Sequence, residues 1–321
     1  MRTIPRGSRS RCTRTHGRTA QAAAPRRATP GRRPRISPSR RPNRRSPSPR
    51  RETSGVKTVT LRGRRYSYQE TGDGPPLVLF HGWSGSSDNF RTWLPVLEQR
   101  YRVIVPDLPG CAAMPPLDSR HTASAYADFA HEFIAALGIG PTAVGGLCSG
   151  ASVAMALAAA HADDVNALLL HPPFFHPSVI RRTMRAQLAL LGTPAGEVYE
   201  VLRKNTLIAN TYRRFTDGGG VASDEEERNR RNLARADSRS QRELAVDLVR
   251  GDHRALLRSW RKPLHVIVAD ADAFVRIAPF RAQLTELAPH ARLFVIRGGH
   301  GWTAAYMAQQ QEALAAFGNG N

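Results

Sequence analysis

The hydrophobic and polar positions divide the chain into two unlike parts. Residues 1–55 contain almost no large apolar side chains, whereas from residue 56 short apolar runs alternate with amphipathic stretches. A short, continuous apolar run bounded by turn residues is typical of a strand buried on both faces, as in a parallel sheet. The pattern predicts such strands at 77–80, 102–107, 142–146, 165–170, 264–270 and 292–298.

Between these strands, apolar side chains recur at the spacing of an α-helix. The clearest case is 122–138, in which Phe129, Phe133 and Leu137 lie on one face. Ahead of the first buried strand, residues 57–76 alternate and turn in the manner of an antiparallel hairpin. Further helices are predicted at 87–100, 151–162, 280–289 and from about residue 303.

The order of these elements predicts the architecture. Strands that alternate with helices of this length form a mostly parallel sheet with helices on both faces, so the expected fold class is α/β. The alternation stops between 171 and 262, where the pattern is helical, with an exposed charged helix expected at 224–244. We therefore expect a core formed by 56–170 and 263–321, a helical insertion at 171–262, and a separate tail at 1–55.

Composition and charge change the picture mainly at the tail. The formal net charge of +21 suggests a nucleic-acid-binding protein, but residues 1–51 hold 17 of the 47 basic residues and no acidic residue. A segment rich in Arg, Pro and Ser cannot bury enough apolar surface to fold, so we expect 1–51 to be disordered. Three roles stay open: an inert tail or translated sequence ahead of the true start, a transit peptide, or charge-driven binding of nucleic acid or acidic lipid.

The remaining composition excludes several classes of protein. The three cysteines are too few and too irregularly spaced for a disulfide framework, and no cysteine spacing suits a metal, so neither metal nor cofactor is expected. No apolar run approaches the roughly 18 residues that a membrane span requires. The simplest expectation is a cytoplasmic protein without a membrane span and, apart from the basic tail, without a nucleic-acid partner. The oligomeric state is not indicated.

Residues 144–152, V-G-G-L-C-S-G-A-S, place two nucleophilic side chains at a predicted junction between strand and helix. A nucleophile at such a turn adopts a strained backbone, and side chains two residues before and after it would collide. With Cys148 at the apex both of these positions are glycine, whereas with Ser149 at the apex one of them is Leu147. Steric reasoning therefore selects the sulfur. The alternative, a tight turn around a buried structural cysteine, stays open at this point.

Other candidate groups also lie at or just beyond the ends of predicted strands. Sites in open parallel sheets gather at the carboxyl ends of the strands, so these groups are expected to lie near Cys148. They are Trp83 after the first buried strand, Asp270 and Asp272 after the fifth, and His300 after the sixth.

In this order, the motifs resemble those of the α/β-hydrolase superfamily over roughly residues 56–321. The chain order of nucleophile, acid and histidine is that of the family. The resemblance is to the variant with cysteine in the nucleophile elbow, since most members carry serine there, and the helical insertion matches the position of the family's cap. The matching motifs are H-G-W at 81–83, D-L-P-G at 107–110, G-L-C-S-G at 146–150, A-D-A-D at 269–272 and G-G-H at 298–300.

The resemblance implies a catalytic triad of Cys148, Asp272 and His300, with Asp270 as the alternative acid. It implies an oxyanion hole formed by the backbone N–H groups of Trp83 and Ser149. The implied activity is hydrolysis of an ester or thioester through an acyl-cysteine intermediate, on a small-molecule acyl substrate that could be bound to a carrier. Two alternatives stay open: an acyltransferase that passes the acyl group to an alcohol or amine, and a non-catalytic hydrolase-like binding protein.

Overall fold

The fold is built around one eight-stranded sheet. The computed structural model describes residues 55–205, 207–208, 211, 223–300 and 304–317. Its strands are β1 (Gly55–Leu61), β2 (Arg64–Thr71), β3 (Pro76–Phe80), β4 (Arg102–Pro106), β5 (Thr142–Leu147), β6 (Val165–His171), β7 (Leu264–Ala269) and β8 (Arg292–Ile296). Across the sheet their order is β1-β2-β4-β3-β5-β6-β7-β8. β1 pairs with β2, and β2 with β4, in antiparallel fashion, whereas the remaining neighbours are parallel.

Hydrophobic clusters cover both faces of this sheet. In β3, Val78 and Phe80 belong to one cluster and Leu77 and Leu79 to the other, because alternate side chains of a strand point to opposite faces. The helices of the described residues are α1 (Leu94–Leu97), α2 (Ala123–Ala136), α3 (Ser149–Ala160), α4 (Arg182–Leu190), α5 (Pro194–Arg203), α6 (Ser223–Ala234), α7 (Ser238–Leu248), α8 (Arg254–Ser259), α9 (Ile277–Leu287) and α10 (Ala304–Phe317).

Helix α2 shows how the sequence pattern produces local structure. It begins after Thr122, whose hydroxyl accepts a hydrogen bond from the N–H of Ala125 and so caps the helix. Its apolar face packs against β2, where the ring of Phe129 lies edge-on to Tyr66 at a centroid distance of 4.9 Å. The mostly parallel eight-stranded sheet, covered on both faces, confirms the expected α/β class.

Two expectations about helices are wrong. The stretch 87–100 is a 3₁₀ turn at Ser87–Phe90 followed by the short helix α1, because Pro95 lacks a backbone N–H and cannot continue a helix from the preceding turn. The stretch 224–244 is divided between α6 and α7, and the side chain of Asp237 caps the start of α7. Both α6 and α7 also bury apolar side chains, so the stretch is not simply exposed.

Helices α4 to α8 lie between β6 and β7, within the expected insertion at 171–262. Helix α6 is attached to the core by Arg91, whose guanidinium forms ion pairs with Asp224 and Glu225. The first strand begins at Gly55, one residue before the expected core boundary, and the rest of the basic tail lies outside the described residues. Within the described part of the chain, no helix has the length and apolar character needed to cross a membrane.

Candidate active site

The turn between β5 and α3 holds Cys148 in a backbone conformation that residues other than glycine rarely adopt. Its φ is 54° and its ψ is −115°. A Cβ atom on Gly146 would lie 2.2 Å from the carbonyl carbon of Gly150, and one on Gly150 would lie 2.0 Å from the carbonyl oxygen of Phe80. Glycine is therefore required on both sides of Cys148, in agreement with the steric argument from the sequence.

The two adjacent nucleophilic residues have different surroundings. Ser149 is the first residue of α3 and is only 1% exposed. Cys148 is partly exposed and lines a cavity, and its backbone N–H donates to the carbonyl oxygen of His171 at 2.7 Å. A substrate entering this cavity would therefore meet the thiol of Cys148 and not the hydroxyl of Ser149.

A histidine and an acid converge on the same place from later strands. The Nδ1 atom of His300 lies 2.8 Å from Oδ2 of Asp272. The other carboxylate oxygen of Asp272 accepts hydrogen bonds from the backbone N–H groups of Phe274 at 2.7 Å and Val275 at 2.9 Å. These bonds fix the buried carboxylate, which in turn orients the imidazole.

Asp270, the alternative acid, has a different contact. Its Oδ1 accepts a hydrogen bond from the backbone N–H of Gly298 at 3.0 Å. Gly298 has a φ of +137°, which glycine adopts more readily than other residues, and it lies in the turn that leads from β8 to His300. The side chain of Asp270 thus holds the turn, whereas the side chain of Asp272 contacts the imidazole.

The charges of this histidine and acid stabilise each other. Burial by itself would lower the pKa of His300, but the Asp272 carboxylate and a hydrogen bond with Cys148 outweigh it and hold the pKa well above its usual value. Burial would raise the pKa of Asp272, but the charge of His300 and its hydrogen bonds lower it. The raised pKa means that the imidazole binds a proton tightly, so a neutral His300 can take up the thiol proton and is then stabilised as an imidazolium by Asp272.

These two shifts predict how stability depends on pH. The contribution of Asp272 is present above its unfolded-state pKa of about 3.9 and is lost as the pH falls through the lower folded-state pKa. The contribution of His300 is complete below its unfolded-state pKa of about 6.5 and is lost as the pH rises through the higher folded-state pKa. We expect Asp272→Asn to lower the free energy of unfolding by about 3 kcal/mol between roughly pH 4 and 6.5, and by less in alkaline solution.

Urea denaturation of the wild type and of Asp272→Asn, near pH 5.5 and near pH 10, measures how the effect on the free energy of unfolding changes with pH. The matched control is Asp270→Asn, because this carboxylate accepts a hydrogen bond from a backbone N–H and does not contact His300. Its effect on the free energy of unfolding should be similar at the two pH values. An equal cost of Asp272→Asn at both would contradict the ion-pair interpretation.

The turn after β3 approaches the same thiol. A Cβ atom on Gly82 would lie 3.3 Å from the Cβ atom of Cys148, so the absence of a side chain allows the two turns to meet. Trp83, the next residue, lines the cavity together with Cys148 and His300. Trp83 directly follows Gly82, and Ser149 directly follows Cys148. The two residues expected to supply oxyanion N–H groups therefore lie in the two turns that meet at the thiol.

A residue that the sequence did not indicate holds this turn. Gln241 in α7 accepts a hydrogen bond from the indole Nε1 of Trp83 at its backbone carbonyl, at 2.9 Å. Its side-chain oxygen accepts from the backbone N–H of Ser84 at 2.7 Å and from the Ser84 hydroxyl at 2.8 Å. Gln241 lies in a charged helical stretch with no distinctive motif, so only the packing of α7 on the core reveals it.

The cavity at Cys148 has a volume of about 190 Å³ and is lined by the core and the insertion together. Helices α4, α6 and α7 contribute Leu188, Asn229 and Leu248 respectively. Among the described residues that line it, none is lysine, arginine, aspartate or glutamate. Apolar side chains supply more of its surface than polar ones, and apart from His300 the polar groups are uncharged, which is the usual composition of a small-molecule site.

His171 and Tyr306 form a hydrogen-bonded pair in the cavity wall. The hydroxyl of Tyr306 lies 2.7 Å from Nε2 of His171, which ends β6. Burial, and then the charge of His300, lower the pKa of His171 to about 3, so its imidazole is neutral. Tyr306 was not indicated by the sequence, because nothing in the pattern of α10 distinguishes the side chain that faces the site.

Known proteins resemble this chain both in sequence and in fold. Lipase 3 of Moraxella sp. (strain TA144) is 36% identical over 120 residues, so the match spans 36% of this chain and only 38% of the lipase. The structure of an N-acyl homoserine lactonase superposes with a TM-score of 0.66 at 22% identity and covers 83% of this chain and 96% of the lactonase. A bromoperoxidase from Bacillus anthracis superposes with a TM-score of 0.69 at 18% identity, over 83% of this chain and 99% of that one.

The two structures are too dissimilar in sequence to indicate more than a shared fold. The family is established by a longer match, because the model of the alpha/beta hydrolase fold family covers residues 75–302. This range extends from the start of β3 to just beyond His300 and includes the turn at Cys148 and the acid at Asp272. The chain therefore belongs to the alpha/beta hydrolase fold family.

Proposed function

We propose that the protein is a hydrolase that cleaves an ester or thioester by transferring the acyl group to the sulfur of Cys148. The observation that carries this proposal is the grouping of three side chains: Cys148 at the apex of a glycine-flanked turn, the imidazole of His300 lining the same cavity, and the carboxylate of Asp272 hydrogen-bonded to that imidazole. The names of similar proteins, which include lipases and a methyl ester esterase, support ester cleavage as the reaction class.

In the first half of the reaction, His300 accepts the proton of the Cys148 thiol and the sulfur attacks the substrate carbonyl carbon. The carbonyl oxygen becomes an oxyanion, which the backbone N–H groups of Trp83 and Ser149 would stabilise. The bond to the leaving group then breaks. The departing alcohol or thiol takes the proton from His300, and the acyl group remains on Cys148 as a thioester.

In the second half, water replaces the leaving group. His300 accepts a proton from the water, whose oxygen attacks the thioester carbonyl and again produces an oxyanion. When the carbon–sulfur bond breaks, the carboxylic acid is released and the sulfur recovers its proton from His300. Throughout, Asp272 holds the ring with Nε2 towards the sulfur and stabilises the imidazolium. Cysteine suits this scheme because a thiol ionises more readily than a hydroxyl.

We further propose that the helices between β6 and β7 act as a cap that shapes the acyl-binding part of the cavity. Support comes from Leu188, Asn229 and Leu248, which line the cavity from three of these helices. The apolar walls, without a charged side chain other than the proposed catalytic pair, favour a short and uncharged acyl group. An anionic acyl chain would lose its hydration there, and the one cationic group available, His300, is already paired with Asp272.

Mass spectrometry of the intact protein tests the covalent step. After incubation with short-chain p-nitrophenyl esters or acyl thioesters and rapid acid quenching, we expect the protein to gain the mass of one acyl group. Peptide mapping should place that group on Cys148. Cys111→Ala is the matched control, because this second described cysteine is buried and does not line the cavity, so the variant should still gain one acyl group on Cys148.

Two outcomes would contradict the proposal. Acylation of Ser149 would show that the wrong residue was assigned as the nucleophile. A protein that gains no mass and releases no product from any of these substrates would instead be a non-catalytic member of the family. Adding an alcohol or amine to the reaction separates hydrolysis from transfer, since a hydrolase continues to release the free acid.

A further inference from the structure

We propose that His131, His161 and Asp164 form a binding site for a divalent transition-metal ion such as Zn²⁺, separate from the candidate active site. His131 lies on α2, His161 follows the last residue of α3, and Asp164 lies in the short 3₁₀ turn that leads into β6. Cys148 precedes the first residue of α3, so the length of that helix, about 18 Å, separates the two sites.

The donor atoms of these side chains are close together. One nitrogen from each histidine and one carboxylate oxygen of Asp164 all lie within 4.8 Å of one another. Nδ1 of His131 is 2.5 Å from Oδ2 of Asp164, and the two imidazole rings stack at a centroid distance of 3.9 Å. Across the described residues, this is the group of three histidine, cysteine or acidic side chains that meets the distance requirement for sharing an ion.

The backbone beneath these side chains is held in place. The N–H of Asp164 donates to the carbonyl oxygen of His161 at 3.0 Å, which closes the turn. The ammonium group of Lys262 donates to the carbonyl oxygens of Ala162 and Val165, each at 2.7 Å. The backbone of the turn is therefore held to the first residue of β6 on one side and to the residue after α3 on the other. These contacts leave the donor side chains able to rotate.

The side chains remain accessible to an ion from solvent. The exposed fractions are 42% for His131, 28% for His161 and 31% for Asp164. Asp128, one helical turn before His131 on α2, has its Oδ1 atom 3.9 Å from Nε2 of His161 and could supply a fourth ligand. With Asp163 also on the turn, three carboxylates outnumber the single ammonium group of Lys262, and this excess of negative charge attracts a cation.

The chemistry of the group fits zinc better than calcium or magnesium. Imidazole nitrogens are ligands for zinc and its neighbours in the transition series, whereas calcium and magnesium prefer oxygen alone. Zinc binds nitrogen and oxygen at about 2.0–2.2 Å with tetrahedral geometry, which puts the donor atoms roughly 3.3 Å apart. The distance from His131 Nδ1 to Asp164 Oδ2 is shorter than this value at 2.5 Å, and the other separations are at most 4.8 Å, so we expect rotation of the side chains to bring the donors into place.

An ion bound here would join α2 to the end of α3. These helices pack against each other and against the same face of the sheet, so the ion would stabilise the folded state and have no counterpart in the unfolded chain. At a zinc concentration about 100 times the dissociation constant, the melting temperature should rise by about 5 °C.

Calorimetric titration of the full chain with zinc chloride tests the site. We expect the double variant His131→Ala/His161→Ala to bind one zinc ion fewer than the wild type and to lose the rise in melting temperature. Asp164→Asn, which preserves the shape of the side chain, should weaken binding at least tenfold and keeps the test valid if the double variant does not fold. The matched control is His290→Ala, which removes an exposed histidine from the turn between α9 and β8.

Zinc could also bind the thiol and imidazole of the candidate active site, so Cys148→Ala is titrated as well. It should keep the ion assigned to α2 and α3, and cobalt bound to that variant should show no thiolate-to-metal charge-transfer band. The proposal is overturned if the double variant binds zinc with the stoichiometry and affinity of the wild type. It is equally overturned if the wild type binds none, or if the rise in melting temperature disappears in Cys148→Ala and persists in the double variant.

Discussion

Replacing Cys148 by alanine is expected to lower kcat/KM for ester and thioester substrates at least about 10³-fold, because the proposed reaction has no other acceptor for the acyl group. The cavity, the N–H groups around it and the His300–Asp272 pair would remain. Substrate binding should therefore persist while turnover is lost. The measurement is the rate of product release at several substrate concentrations, which separates an effect on kcat from one on KM.

Two further variants make this result specific. Ser149→Ala keeps the backbone N–H that the proposal uses and removes only a buried hydroxyl, so it should lower kcat less than about tenfold. Cys111→Ala removes a buried thiol that does not line the cavity but accepts a long hydrogen bond, 3.4 Å, from the side-chain amide of Gln241, so it should lower kcat no more than a few-fold. If Ser149→Ala abolished turnover and Cys148→Ala did not, the assignment of the nucleophile would be wrong.

Replacing Gly150 by alanine should strongly destabilise the protein, and we expect it to lower the free energy of unfolding by about 4 kcal/mol or to prevent folding. The added methyl group would lie 2.0 Å from the carbonyl oxygen of Phe80 and 2.6 Å from that of His81. Both contacts are with backbone atoms at the end of β3, which cannot rotate away as a side chain could. Urea denaturation measures the loss.

Gly140→Ala is the matched control for this prediction. Gly140 lies in the connection between α2 and β5, and a Cβ atom there would meet no heavy atom within 4 Å. Because alanine restricts the unfolded chain more than glycine does, this variant should be unchanged or more stable by up to about 1 kcal/mol. Equal losses in the two variants would mean that the close approach at Gly150 does not limit stability.

The parts of the site that the sequence could predict are those governed by local rules. The strands at the centre of the sheet are continuous apolar runs, and side chains just beyond their carboxyl ends must share one edge of the sheet. That reasoning brought Cys148, Asp272 and His300 together as candidates, and the glycines at 146 and 150 distinguished the cysteine from the adjacent serine. Both short-range steric limits and strand direction can be inferred from a single sequence.

The residues that the helical insertion contributes to the site could not be predicted in the same way. Which face of a helix such as α7 meets the core depends on tertiary packing, and the stretch containing Gln241 has a charged composition that suggested a single exposed helix. The same holds for Tyr306 in α10, outside the insertion, because the sequence does not show which face of that helix meets the site. The error at 87–100 has a local cause, since the helix-breaking effect of Pro95 was present in the sequence and was outweighed by the apolar spacing around it.

In the proposed mechanism, the attachment of the Trp83 turn to α7 would link recognition of the acyl group to the rate of reaction. If α7 must sit against the core for this turn to hold its shape, a bulky acyl group that displaces the helix would also displace an N–H group meant for the oxyanion. Such a compound would still occupy the enzyme, but it would react slowly. Discrimination among substrates would then be found in kcat, and poor substrates would act as competitive inhibitors of good ones.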